Sequence, residues 1–284
     1  MSIFCLKIIA TVCMLLDHIA YFFPDMPIQF HWLGRLSAPI FVFCVVNSME
    51  YTHSQHKYML RLYIFSIVVA IFQIFSYIEL NIIRTLFTIS LLIYIFEKRF
   101  TDIRKCKKMI VTYILYQIIT CIICELLIIY STPNANENFF VYLFPTLLGN
   151  ILGMEGGLIW VFVGLLFYFF KKNRSKLAIS YTLMVILYEV CLATHYVYSV
   201  IFRIGYIPLI GYNLEELLLF VFAAIIGFDP ISSGGNIFFE QYQWMIIFSL
   251  PLILCYNQKK GLKIKYGFYV FYILHIFILW WLTK

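Results

Sequence analysis

Long apolar runs separated by short polar breaks organise this chain. A hydrocarbon core of about 30 Å takes around 20 helical residues. Runs of roughly that length lie at 3–23, 28–50, 58–78, 82–96, 109–130, 139–170, 177–201, 242–256 and 266–282. In lipid a helix satisfies its backbone groups within one segment, so each run predicts a helix. Two stretches resist simple counting. Residues 139–170 are long for one helix, short for two, and interrupted by Glu155-Gly156-Gly157, so one broken crossing is expected. Residues 207–228 read as a re-entrant or interfacial segment. The pattern predicts an all-α, polytopic membrane helical bundle of nine to eleven transmembrane helices, one domain over residues 1–284, without an internal repeat.

Composition supports lipid as the solvent: 63% of residues are apolar and only 12% charged, against about 25% charged in a soluble domain. Too few charges remain to cover a soluble exterior. The net charge of +7 would suit a nucleic-acid partner, but its placement argues against one. Sixteen of the 21 basic residues fall in four segments: Lys57 with Arg61, Lys98 to Lys108, Lys171 to Lys176, and Lys259 to Lys265. Such clusters mark loops facing an anionic cytoplasmic leaflet. The breaks Pro24–His31 and Ser131–Asn138 contain no Lys or Arg and read as outside. A cytoplasmic N-terminus then places every dense basic loop on the inner face. Asp17 and His18 in the first run, with no small-residue cleavage site before Pro24, make that run a retained span rather than a signal peptide. The eight cysteines are scattered through apolar segments and read as reduced. Cys121 and Cys124 form a CxxC, a weak redox or metal signal on a membrane helix.

An ionisable residue inside a span costs about 2.5–3.5 kcal/mol, so each needs a partner, a wet cavity or a job. Asp17 and His18 lie near the outer end of the first helix, His18 roughly 8 Å from it, and Arg35 lies about 10 Å down the second. The connecting hairpin makes contact plausible. Adjacent residues diverge by 100° round a helix, which disfavours an Asp17–His18 dyad. The expected arrangement pairs Asp17 with Arg35, leaves His18 facing a cavity, and uses Gly34 for close backbone approach. The bland alternative for His18 is an interfacial imidazole on a carbonyl, and for His275, near mid-membrane, a bond to a neighbouring helix. Glu125, Glu189 and His195 either line the same cavity or pair with Arg203. Asn81 caps the fourth helix and Arg84 snorkels outward. Lys57 and Arg61 either anchor lipid headgroups or recognise a phosphate-bearing cytosolic donor. No phosphate-binding glycine loop, nucleophile elbow, HExxH or zinc-ligand spacing occurs in the sequence.

Several stretches together carry a family resemblance. They are Leu6-Lys7-Ile8-Ile9-Ala10, Leu16-Asp17-His18-Ile19, Trp32-Leu33-Gly34-Arg35-Leu36-Ser37-Ala38-Pro39-Ile40-Phe41, Lys57-Tyr58 with Arg61-Leu62, and Asn81-Ile82-Ile83-Arg84-Thr85-Leu86. Tyr242-Gln243-Trp244, Tyr256-Asn257-Gln258-Lys259-Lys260-Gly261 and Phe271-Tyr272-Ile273-Leu274-His275 follow. In order and spacing these resemble the TraX family, named for a conjugal-transfer protein that acetylates the pilin N-terminus. Two positions depart: the family usually has Gly where Gln258 stands and Pro where Ile273 stands.

The resemblance implies a multi-pass acyltransferase of the bacterial cytoplasmic membrane. Acetyl-CoA or another acyl-CoA would be the donor, a peptide or glycan amine or hydroxyl the acceptor, with no metal. Such transfer needs a base and stabilisation of an oxyanion. His18 is the candidate base, Arg35 would hold Asp17 or the oxyanion, and His275 would orient the acceptor or share proton transfer. Lys57, Arg61, Asn81, Arg84 and Glu155 are the donor- or substrate-binding candidates. Two other classes stay open: a transporter or channel with an intramembrane His/Asp/Arg path, and a non-catalytic scaffold.

Overall fold

The polar breaks turn out to be helix caps. Ser2, Ser54, Asn81, Asp102 and Asn173 each accept a hydrogen bond through the side chain from a first-turn amide of the helix that follows, satisfying donors that a helix leaves unpaired. The computed structural model describes residues 1–131, 137–262, 264 and 266–284. Most of the 131–138 break, and Lys263 and Lys265 of the last basic segment, lie outside the described residues.

Among the described residues the regular structure is helical throughout. The first five α-helices are α1 (Ile3–Phe22), α2 (Gln29–Gly34), α3 (Ser37–Tyr51), α4 (Gln55–Ser76) and α5 (Ile82–Glu97). Next come α6 (Ile103–Tyr130), α7 (Phe144–Leu148), α8 (Gly157–Phe170) and α9 (Arg174–Ala193). The last four are α10 (Tyr196–Gly205), α11 (Gly211–Phe220), α12 (Ser249–Leu254) and α13 (Gly267–Leu282). Short π-helical turns precede α7 and follow α11, and a 3₁₀ segment, Tyr242–Phe248, precedes α12.

Among the described residues five segments are long and apolar enough to cross a membrane: Ile3–Phe22, Gln29–Tyr51, Gln55–Ser76, Ile103–Tyr130 and Arg174–Ala193. Phe139–Leu148, Gly157–Phe170, Tyr242–Leu254 and Gly267–Leu282 are shorter apolar helices. Large apolar side chains stay uncovered on the long ones, Phe75 at 67% and Leu187 at 66% exposure. Lipid rather than water is the medium that tolerates this. The chain is a polytopic membrane protein.

Besides the run 28–50, which is divided between α2 and α3, two expected segments are cut differently. The run 177–201 divides where Thr194 is extended. There the Leu192 carbonyl accepts from the Gly234 amide at 2.6 Å and Thr194 Oγ1 donates to the Val190 carbonyl at 2.7 Å, so two of the last turn's acceptors are met without further helix. The interruption of 139–170 begins earlier than Glu155: helix stops at Leu148 and resumes at Gly157.

The chain resolves into two units, residues 1–44, 166–219 and 229–284 forming the first, and 45–165 with 220–228 the second. In the first, α1 packs against α2 and α13. Phe43, Phe167 and Tyr181 make a chain of ring contacts at 5.6 and 5.2 Å. The fully buried Tyr181 hydroxyl meets Ser249 Oγ at 2.9 Å. The loop before α13 finishes the start of α1, because the Ile3 and Phe4 amides donate to the carbonyls of Lys259 and Lys260 at 2.9 and 3.1 Å. A Cβ on Gly261 would meet Ser2 Oγ at 2.7 Å, and its φ of +73° is left-handed, so this junction needs glycine.

In the second unit α4 packs against α5. Asn81 Nδ2 donates to the Ser66 carbonyl at 3.1 Å and to Gln73 Oε1 at 3.2 Å, fixing the turn between them. The non-helical stretch after Leu148 is organised by Asn150, fully buried. Its Nδ2 donates to Thr120 Oγ1 at 2.7 Å and its Oδ1 accepts from the Leu152 amide at 2.7 Å.

Candidate functional site

Pro39 shapes the first half of the site. Its ring would clash with the carbonyl of residue 35 in a continuous helix, and the helix breaks there, between α2 and α3. Arg35 occupies that break as the C-cap of α2. Its Nη2 donates to both carboxylate oxygens of Asp17 on α1, each at 2.9 Å. His31 Nδ1 donates to Asp17 Oδ1 at 2.8 Å, since a carboxylate oxygen only accepts. The Asp17 and Arg35 side chains are 18% and 25% exposed, so the pair is largely desolvated, where breaking it costs far more than a surface pair would. Gly34 permits the approach: a Cβ there would lie 2.3 Å from Asp17 Cβ.

Tyr242 of the 3₁₀ segment covers this cluster. Its ring stacks on His31 with centroids 5.8 Å apart and lies 5.5 Å from the Arg35 guanidinium carbon. Trp32 Nε1 donates to the Phe238 carbonyl at 2.9 Å, tying α2 to the loop that delivers Tyr242. Arg35 Nε is buried and has no hydrogen-bond partner among the described residues, a donor left open at a cost of about 1–3 kcal/mol.

His18, one residue on from Asp17, faces elsewhere. Its Nδ1 lies 2.6 Å from Nε2 of His275 on α13, and both residues are buried at 5% exposure. The ring planes are 8° apart with centroids at 4.9 Å. With the nitrogens this close, the rings meet edge to edge, and one N–H points along the partner's in-plane lone pair. The second nitrogen of His275, Nδ1, lies 2.8 Å from the Phe271 carbonyl. A carbonyl only accepts, so His275 Nδ1 carries a proton. In an uncharged pair His275 Nε2 then accepts, His18 Nδ1 donates, and His18 Nε2 is left with a free lone pair. Asp17 and Arg35 lie within electrostatic range of the His18 ring.

The four candidates Asp17, His18, Arg35 and His275 therefore gather in the first unit; the expected Asp17–Arg35 pair forms, and His18 meets His275. α13 runs straight through Ile273, and His275 reaches its partner without the proline kink. Sequence reasoning assigned no role to His31 or Tyr242. His31 was detectable, because it stands four residues before Arg35, the spacing that stacks side chains on one helix face. Among the described residues neither Glu189 nor His195 forms an ion pair with Arg203.

Lys57, Arg61, Asn81, Arg84 and Glu155 belong to the second unit. Lys57 and Arg61 open α4, and Arg61 Nε donates to the Lys57 carbonyl at 3.2 Å. Asn81 caps α5 as expected. Arg84 does not snorkel: it is 4% exposed, and its Nη2 donates to the carbonyls of Asn150 and Leu152 at 2.6 and 2.7 Å. Carbonyls freed by the helix break supply what water would have supplied outside. The Glu155 carbonyl accepts from Thr85 Oγ1 at 2.7 Å. All eight cysteines are free, and Cys121 hydrogen-bonds Asn150.

No curated protein and no solved structure matches this chain. The family model described as TraX protein matches residues 2–283, which takes in His18, His31, His275, Asp17 and Arg35. With a match over nearly its whole length, the chain belongs to the TraX family.

Proposed function

We propose that this protein is a membrane-bound acyltransferase in which His18 Nε2 is the base. The observation that carries the reading is the hydrogen-bonded series from the Phe271 carbonyl through His275 to His18, because it leaves His18 Nε2 as the acceptor. Family membership supports the reaction class. The donor is acetyl-CoA or another acyl-CoA. The acceptor is an amine or hydroxyl of a peptide or glycan.

In the reaction the acceptor's N–H or O–H proton passes to His18 Nε2 as its heteroatom bonds to the thioester carbonyl carbon. The C–S bond then breaks, and the thiolate takes up the proton. General-base assistance of this kind contributes about 10²–10⁴-fold. His275 is a positioning residue that holds the His18 tautomer. Asp17, itself bonded by His31, holds Arg35, whose open Nε–H suits an oxyanion. Lys57 and Arg61 serve as the phosphate-binding candidates by charge, whereas Asn81 and Arg84 use their hydrogen bonds within the fold. The N-terminus is cytoplasmic, in a bacterial cytoplasmic membrane.

The test is purified protein in nanodiscs with labelled acetyl-CoA and peptides or glycans bearing free amines or hydroxyls. Covalent transfer by wild type, lost in a folded His18→Ala, is the expected result. Unchanged transfer in that variant removes His18 from the mechanism. Flux of label across proteoliposomes without a covalent product favours the transport alternative.

A further inference from the structure

A groove of about 530 Å³ lies in the second unit, away from any residue given a role above, lined by Ile95, Lys105, Lys108, Met109, Thr112, Tyr113 and Tyr116. That is a typical size for a small-ligand site, roughly 300–1,000 Å³. Six of these residues come from α6 at spacings of three and four, so they form one stripe along the helix. Ile95 of α5 supplies the facing wall. The stripe is ordered by polarity: two ammonium groups stand at the polar start of α6 and apolar or aromatic side chains continue into the span.

Eleven residues separate Lys105 from Tyr116, about 16 Å of helix, close to the roughly 15 Å of one leaflet's hydrocarbon. Among the described residues neither Lys105 nor Lys108 has an ion-pair partner. The Tyr113 hydroxyl is buried and has no hydrogen-bond partner among the described residues, whereas Tyr116 donates its own to the Leu148 carbonyl at 2.7 Å. The groove thus offers cations at one end, an apolar wall along its length, and an unsatisfied hydroxyl between.

The geometry points to a binding site for an anionic glycerophospholipid of the adjacent leaflet, its phosphate on Lys105 and Lys108 and one acyl chain along Met109, Tyr113 and Tyr116. Charge complementarity fixes the head, and the match between stripe and leaflet fixes the tail. A free phosphate would leave the apolar wall unused. A nucleotide-bearing donor would find little polar surface there beyond Thr112. The inference does not depend on acyl transfer.

The full chain purified in detergent is titrated with dioleoyl phosphatidylglycerol or dioleoyl phosphatidylcholine and read by native mass spectrometry. Inorganic phosphate and coenzyme A are added separately as competitors. Retention of phosphatidylglycerol about tenfold or more above phosphatidylcholine is expected, lost in Lys105→Gln/Lys108→Gln and kept in Arg104→Gln/Lys107→Gln, which removes equal charge outside the groove. A photoreactive acyl chain should label the 109–116 stretch. Equal loss in both double variants, no headgroup preference, displacement by phosphate or coenzyme A, or labelling elsewhere would each overturn the assignment.

Discussion

Replacing Gly34 with alanine sets two physical effects of opposite sign against each other. Helix propensity alone makes alanine in α2 more stable than glycine by about 0.5–1 kcal/mol. Packing predicts the reverse. The added Cβ would sit 2.3 Å from Asp17 Cβ, 2.4 Å from its Cγ and 2.6 Å from its Oδ1, where ordinary contact begins near 3.4 Å. The two segments must therefore part by about 1.1 Å at the closest point. The same displacement applied to the 2.9 Å contacts of Arg35 with Asp17 carries them beyond hydrogen-bond reach. Overpacking costs about 1–3 kcal/mol, and the weakened ion pair adds to it, so Gly34→Ala should lower the unfolding midpoint by several degrees. Under the proposed function a misplacement of about 1 Å in this cluster is worth roughly 10²-fold in rate, so acyl transfer should fall further than stability. Thermal unfolding followed by intrinsic fluorescence in detergent, with a transfer assay on the same sample, reads both. A midpoint that stays level or rises would refute the close approach of α1 and α2 as the reason for glycine.

Other substitutions test the remaining contacts. Asp17→Asn should destabilise by about 3–5 kcal/mol, because it leaves the Arg35 charge buried without a counter-ion; chemical denaturation checks this. His275→Phe should leave the protein folded while transfer drops about 10²–10⁴-fold, and wild-type rates in this variant would mean that the His18 tautomer is set by something else. Gln258, an exposed residue at φ +61°, holds a left-handed conformation that costs a side-chain residue about 1–2 kcal/mol. Gln258→Gly, offset by the extra freedom of glycine in the unfolded chain, should raise stability by roughly 0.5–1 kcal/mol in the same thermal assay. Asn150→Ala should cost about 1–3 kcal/mol, since the Leu152 amide and Thr120 hydroxyl lose a buried partner.

The Asp17–Arg35 pair was legible because a short hairpin and equal depth bring two charges together, and the cost of burying either alone leaves few alternatives. His275 was legible as an uncomfortable residue in lipid, but not as the partner of His18. Nothing local in either segment specifies that α13 packs against α1. Arg84 departs from expectation for a related reason. Snorkelling is the cheaper choice when helices are continuous, and the carbonyls that hold this guanidinium exist only because helix is lost from Gly149 onward, six residues before the Glu155 signal. The division at Thr194–His195 was hidden because apolar residues continue on both sides, and the hydrogen bond that ends α9 comes from Gly234. Gln258 shows the converse: the departure from the expected glycine was visible, and the left-handed backbone angle is one that glycine adopts more readily.

The partnership of residues 18 and 275 also bears on biosynthesis. Its halves are separated by 257 positions, and α1 enters the bilayer long before α13 is translated. Until then His18 waits in lipid without its acceptor. A ribosome that stalls before α13 therefore leaves an anchored product in which His18 is unpaired, and the two imidazoles meet only once α13 has been made.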